Sequence, residues 1–190
     1  MAIHRFRMLF KDLEAHVGNE AAQNIFPEYA VLPEKMSVSD QATLIKRVMG
    51  RMIDTLDYET VKKIRRTRPC KMPKEQKHEM TEVMKNCKDI DEFLSAYGYI
   101  KQDDGTYLSN YKQAKCWCGA FHSLDEYEPV SIAWCECCNA HHENGLMEIC
   151  GRPVKTEIIE SIVSGGRDCV YRVFIQNEPN VETLAAMAEA

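Results

Sequence analysis

The sequence predicts an α+β protein: an N-terminal helical region followed by a C-terminal antiparallel sheet with a helix packed against it. Three observations carry this. Apolar residues recur at helical spacing up to about residue 98, and from Tyr99 the pattern changes to short β-branched and aromatic runs around turn residues. Between those runs, five of the nine cysteines crowd into residues 116–138. The expected divisions are a helical region over 1–98, a cysteine-rich metal-binding α+β domain over 99–176, and a tail or short helix over 177–190.

The first helix follows from Phe6, Leu9, Phe10 and Leu13 at i, i+3, i+4, i+7, and Gly18 breaks it before a second stretch from Glu20 to Tyr29. Ser39 or Asp40 can cap a longer helix whose apolar face is Leu44, Ile45, Val48, Met49, Met52 and Ile53. Asp57 can cap a basic helix that ends before Pro69, and Pro73 opens another carrying Met80, Val83 and Met84. Asp89 caps a short helix through Phe93 and Leu94, stopped by Gly98. Four to six short helices result.

Beyond them, Asp103-Asp104-Gly105 suits a tight turn between two strands. A helix from Cys138 to Ile149 stops at Gly151. Pro153–Val163 and Cys169–Ile175 are predicted strands joined by residues 164–168. The last residues, from Asn180, are a small acidic helix or a frayed tail.

No run approaches the roughly 18 apolar residues of a membrane helix, and the first residues lack the pattern of a secretory signal. A cytoplasmic protein with no membrane partner is therefore expected, and in that compartment clustered cysteines hold metal or do redox chemistry more often than they form disulfides. The net charge of −5 is uneven: residues 1–77 carry 15 Lys/Arg against 10 Asp/Glu, and residues 78–190 carry 9 against 19. The densest basic stretch, Lys62-Lys63-Ile64-Arg65-Arg66-Thr67-Arg68, is read as the solvated face of an amphipathic helix rather than as a nucleic-acid surface.

Cys116-x-Cys118 and Cys135-x-Cys137-Cys138 form two chelating pairs separated by a loop, which suits a tetrahedral thiolate site. The expected metal ligands are Cys116, Cys118, Cys135 and Cys137, holding zinc, with iron or an iron–sulfur cluster as the alternative. Cys138 in place of Cys137 restores a Cys-x-x-Cys spacing, and His122, His141 or His142 can replace one thiolate. Trp134-Cys135-x-x-Cys138 superficially matches a thioredoxin-type motif, but no parallel βαβ pattern precedes it. A third reading makes Cys138 a nucleophile at a helix start, with His141 or His142 a turn later as base. Cys70, flanked by Arg68 and Lys71, is a further thiol that an irregular segment can bring to the metal.

Gly151-Arg152-Pro153-Val154, Glu160-Ser161, Gly165-Gly166, Cys169 and Tyr171-Arg172-Val173 resemble the end of the 4-vinyl-reductase domain superfamily, a small-molecule module. Together with Cys116-Trp117-Cys118-Gly119, Cys135-Glu136-Cys137 and Glu160-Ser161-Ile162, they are more similar still to an uncharacterised cysteine-rich family of anaerobic bacteria and archaea. The tail also resembles L-2-amino-thiazoline-4-carboxylic acid hydrolases. The superfamily's sensor-type zinc site would fall near Cys135, Glu157 or Glu160, Ser161 and Cys169, where Ser161 departs from the pattern. These resemblances imply a metal-organised pocket for a small organic ligand. The alternative they imply is a hydrolase acting on a carbon–nitrogen or carbon–sulfur bond, with Cys138, His142 and Glu160 as its catalytic residues. The helical region is expected to pack on, or dimerise over, the sheet.

Overall fold

The computed structural model describes residues 2–109 and 111–176. Among them are seven α-helices and one four-stranded antiparallel sheet. The tail expected from Asn180 lies outside the described residues.

Helix α1 (Ala2–Val17) buries the predicted stripe, with Phe6 and Leu13 fully enclosed. Gly18, at φ 82° and ψ 164°, adopts a positive-φ conformation that suits glycine, and the helix ends before it. Helix α2 (Asn19–Ile25) is shorter than predicted. Pro27 has no N–H to continue the ladder, so the chain passes into a 3-10 turn over Pro27–Val31. That turn lays the Tyr29 ring against Phe10, centroids 3.8 Å apart.

Helix α3 (Val38–Thr55) is capped by Ser37, not by Ser39 or Asp40. The Ser37 hydroxyl accepts the Asp40 N–H at 3.1 Å, which places Ser39 and Asp40 inside the first turn. Asp57 caps α4 (Tyr58–Arg66) through the Thr60 N–H, and Asp89 caps α6 (Ile90–Ala96) through the Glu92 N–H, both as predicted. Between them, α5 (Lys74–Asn86) follows Pro73.

The strands β1 (Tyr99–Lys101), β2 (Tyr107–Ser109), β3 (Val154–Glu160) and β4 (Val170–Ile175) stand in the order β1-β2-β4-β3. Asp104 closes the first hairpin by accepting the Thr106 N–H at 3.0 Å. In the second, Val154 pairs with Ile175, and a bulge lies between Ile158 and Glu160. Strand β3 ends at Glu160 instead of Val163 because Ile162–Ser164 wind into a 3-10 turn. Helix α7 (Glu136–Cys150) begins two residues before Cys138, running on directly from a 3-10 turn over Ile132–Cys135.

The chain divides into two compact units. One comprises Met1–Arg68, Gln113–Cys137 and Ser161–Asp168; α1 to α4 and the turn before α7 enclose its core of Phe6, Phe26, Ile45, Met49, Phe121 and Trp134. The other comprises, among the described residues, Pro69–Lys112, Cys138–Glu160 and 169–176. Here α5, α6, the sheet and the body of α7 share a core of Met80, Phe93, Leu94, Tyr99, Leu146 and Val173. No helix among the described residues is long and apolar enough to cross a membrane.

Candidate metal centre

The site is built on the first turn of α7. Cys137 and Cys138 are its second and third residues, and the 3-10 turn over Ile132–Cys135 leads directly into them. Cys70 lies in the irregular segment between α4 and α5, and its carbonyl accepts a hydrogen bond from His141 Nδ1 at 2.8 Å. That bond fixes the Cys70 backbone one helical turn from Cys138. The sulfurs of Cys70, Cys137 and Cys138 lie within 4.8 Å of one another, so these three can hold a metal ion.

Charge reinforces the arrangement around Cys137. Arg65 on α4 donates to the Cys137 sulfur at 3.2 Å and to the Trp134 carbonyl at 3.0 Å, and its guanidinium stacks 3.9 Å from the indole centroid. Beside it the Glu136 carboxylate, 2% exposed, is held by Arg66 at 3.4 Å and by the Tyr58 hydroxyl at 3.2 Å. Burial, then the Glu136 charge, pushes Tyr58 up to about 12, so it stays a donor at neutral pH. The basic stretch is thus turned partly inward, since Arg68 also pairs with the buried Asp12 at 2.9 Å.

Of the four cysteines expected to hold the metal, Cys137 belongs to this group, while Cys116, Cys118 and Cys135 do not. Cys116 is buried; its sulfur accepts the Cys118 N–H at 3.3 Å and its carbonyl bonds His122 Nδ1 at 3.0 Å. Cys135, also buried, has its sulfur 3.0 Å from the Ser161 hydroxyl, which brings together two of the positions where a sensor-type site was expected. Cys169 is buried, and its carbonyl accepts a hydrogen bond from the Ser109 hydroxyl.

The three residues expected to be catalytic are placed as follows. Cys138 joins the metal group. His142 lies between two aromatic rings, Tyr111 at 5.8 Å and Tyr171 at 4.2 Å, and burial followed by the neighbouring His141 charge holds it down at about 4. A histidine with that pKa is neutral at physiological pH but a weak base. Glu160 is the last residue of β3, beyond the bulge, opposite Val170.

Arg65 and Glu136 were not singled out by the sequence, yet a signal existed. Tyr58, Val61 and Arg65 fall at i, i+3, i+7 on α4, the face that buries Val61. A surface groove lined by Ser39, Thr43, Lys46, Tyr127 and Glu128 carries no cysteine or histidine.

Comparison with known proteins finds no matching curated protein and no matching solved structure, so 4-vinyl-reductase domains and thiazoline hydrolases are not among the findings. One family profile matches, and it covers residues 2–180. The chain belongs to that family, a family of unknown function designated DUF6144.

Proposed function

We propose that this protein is a thiolate metal-binding protein, its ion held by Cys70, Cys137 and Cys138. The observation that carries the reading is the convergence of three sulfurs from two separate segments within 4.8 Å. Zinc is the ion that suits them. Sulfurs around a tetrahedral zinc stand roughly 3.8 Å apart, given Zn–S bonds of about 2.3 Å, so closure asks only for small side-chain rotations. Three protein ligands leave a fourth position for water or a small organic ligand, the pattern of exchangeable rather than closed sites. Cys70, being exposed, opens that position to solvent.

A second reading is hydrolysis of a carbon–nitrogen or carbon–sulfur bond, in which Cys70, Cys137 and Cys138 would hold the ion and the ion would supply Lewis-acid chemistry. His141 supports it. By donating Nδ1–H to the Cys70 carbonyl the ring keeps the Nε2 lone pair available to accept a proton.

Metal content of protein purified without oxygen tests the assignment against the sequence-based ligand set. About one ion per chain is expected in the wild type, in Cys116→Ser and in Cys118→Ser, and loss of it in Cys70→Ser, Cys137→Ser and Cys138→Ser. Binding that survives Cys70→Ser but disappears in Cys118→Ser would transfer the site to the paired Cys-x-Cys motifs. Arg65→Gln should keep the ion but weaken it by about 10–100-fold, the usual effect of removing a group that orients a ligand, measured by competition with a chromogenic chelator.

A further inference from the structure

We infer that Cys70 and Cys138 are also a dithiol/disulfide couple that reacts with small disulfides, so that oxidation and metal binding compete for the same sulfurs. The pairing follows from geometry. Cys137 and Cys138 are consecutive residues on a helix, pointing about 100° apart, and joining them would close a small strained ring that a helical peptide does not accommodate. A disulfide within the group must therefore include Cys70. Its partner is Cys138, because Cys137 is the more buried residue and its sulfur accepts a hydrogen bond from Arg65, whereas Cys138 is half-buried with Cys70 beside it. The His141 bond to the Cys70 carbonyl holds the two backbones close enough for the sulfurs to meet after side-chain rotation.

Exposure also sets the order of events. Cys70 is the accessible sulfur, so its thiolate attacks one sulfur of the small disulfide; a Cys70 mixed disulfide forms and one small thiolate leaves. The Cys138 thiolate then attacks the Cys70 sulfur, the protein disulfide forms, and the second small thiolate departs. Two electrons pass from the two cysteines to the small disulfide, which ends as two thiols. An ion held by all three sulfurs loses two of its ligands in this exchange and is released; this last step alone rests on the metal reading above.

The test treats metal-free protein, purified without oxygen, with oxidised glutathione. Remaining thiols are then alkylated and the linkages mapped by mass spectrometry. The expected result is a Cys70–Cys138 disulfide with Cys137 alkylated, a stable glutathione adduct on Cys70 in Cys138→Ser, and an unchanged linkage in Cys137→Ser. A Cys70–Cys137 linkage, or a wild-type Cys70 adduct that no cysteine resolves, would overturn it. In parallel, zinc-loaded protein should release one ion per disulfide formed. If zinc never binds while the Cys70–Cys138 linkage forms, the metal reading fails and the couple stands; if zinc binds and the linkage never forms, the reverse holds.

Discussion

The first turn of α7 and its last two turns are held by different forces. Glu136 and Cys137 are fixed by directed contacts: Arg66 and Tyr58 on the carboxylate, Arg65 on the sulfur. Leu146 is fixed by burial in an apolar core shared with Phe93, Leu94, Tyr99 and Val173. Burial is non-directional and asks only that volume be filled, while a hydrogen bond or ion pair specifies where an atom must sit. Aiming a sulfur at an ion needs the second kind of contact, and holding a helix on a sheet needs the first. The two ends can therefore be broken separately.

The largest effect should come from the packed end. Leu146, 2% exposed, leaves a cavity when shortened to alanine, and Leu146→Ala should lower stability by about 2–5 kcal/mol in urea unfolding. Metal stoichiometry per folded chain should be unchanged. Loss of the ion in chains that remain folded would show that packing, and not the charged first turn, places the sulfurs.

Between the two ends sits His142, and there the comparison becomes one of pH. Its pKa in the folded protein is about 4, against an ordinary 6.5, so the unfolded chain binds more protons between those values. The stabilisation is complete above pH 6.5 and is lost as pH falls towards 4, amounting to ~3 kcal/mol over that window. His142→Phe, which keeps a ring between Tyr111 and Tyr171, should remove this part of the acid sensitivity. Equal slopes of stability against pH for the two proteins would mean that His142 titrates in the folded state as it does in the unfolded one.

Much of the framework was legible in the sequence because its signals are local. Asp57 and Asp89 cap helices through the N–H three residues on, a relation visible within one turn, and Gly18 ends α1 where the apolar spacing stops. Misreadings arose where two local signals competed. Ser37, Ser39 and Asp40 are all capping residues, and only the helix start chooses among them; Pro27 cut α2 short inside an otherwise helical pattern. The candidate site is a different kind of object. Cysteine spacing reveals chelation within a segment, and so it marked residues 135–138, but which distant thiol completes a group depends on the chain path. Cys70 drew attention through its charged neighbours, not through any spacing. The roles of Arg65 and Glu136 depend on α4 and the start of α7 meeting, which no local pattern encodes.

The smallest effect should come from Gly145, where the two ends of α7 touch the same segment. A Cβ at this position would meet the terminal methyl of Met72 at 2.6 Å. Alanine in a helix interior is favoured over glycine by about 1 kcal/mol, and the obstacle is the far end of a flexible side chain that can swing aside. Gly145→Ala should therefore leave thermal stability within about 1 kcal/mol of the wild type. Met72, however, stands two residues after Cys70, in the segment that carries the third sulfur. Pushing it should weaken metal binding several-fold while the fold is unaffected, and chelator competition beside a thermal melt measures both. Unchanged affinity would mean that the His141 bond alone positions Cys70 and that the segment's packing contributes nothing.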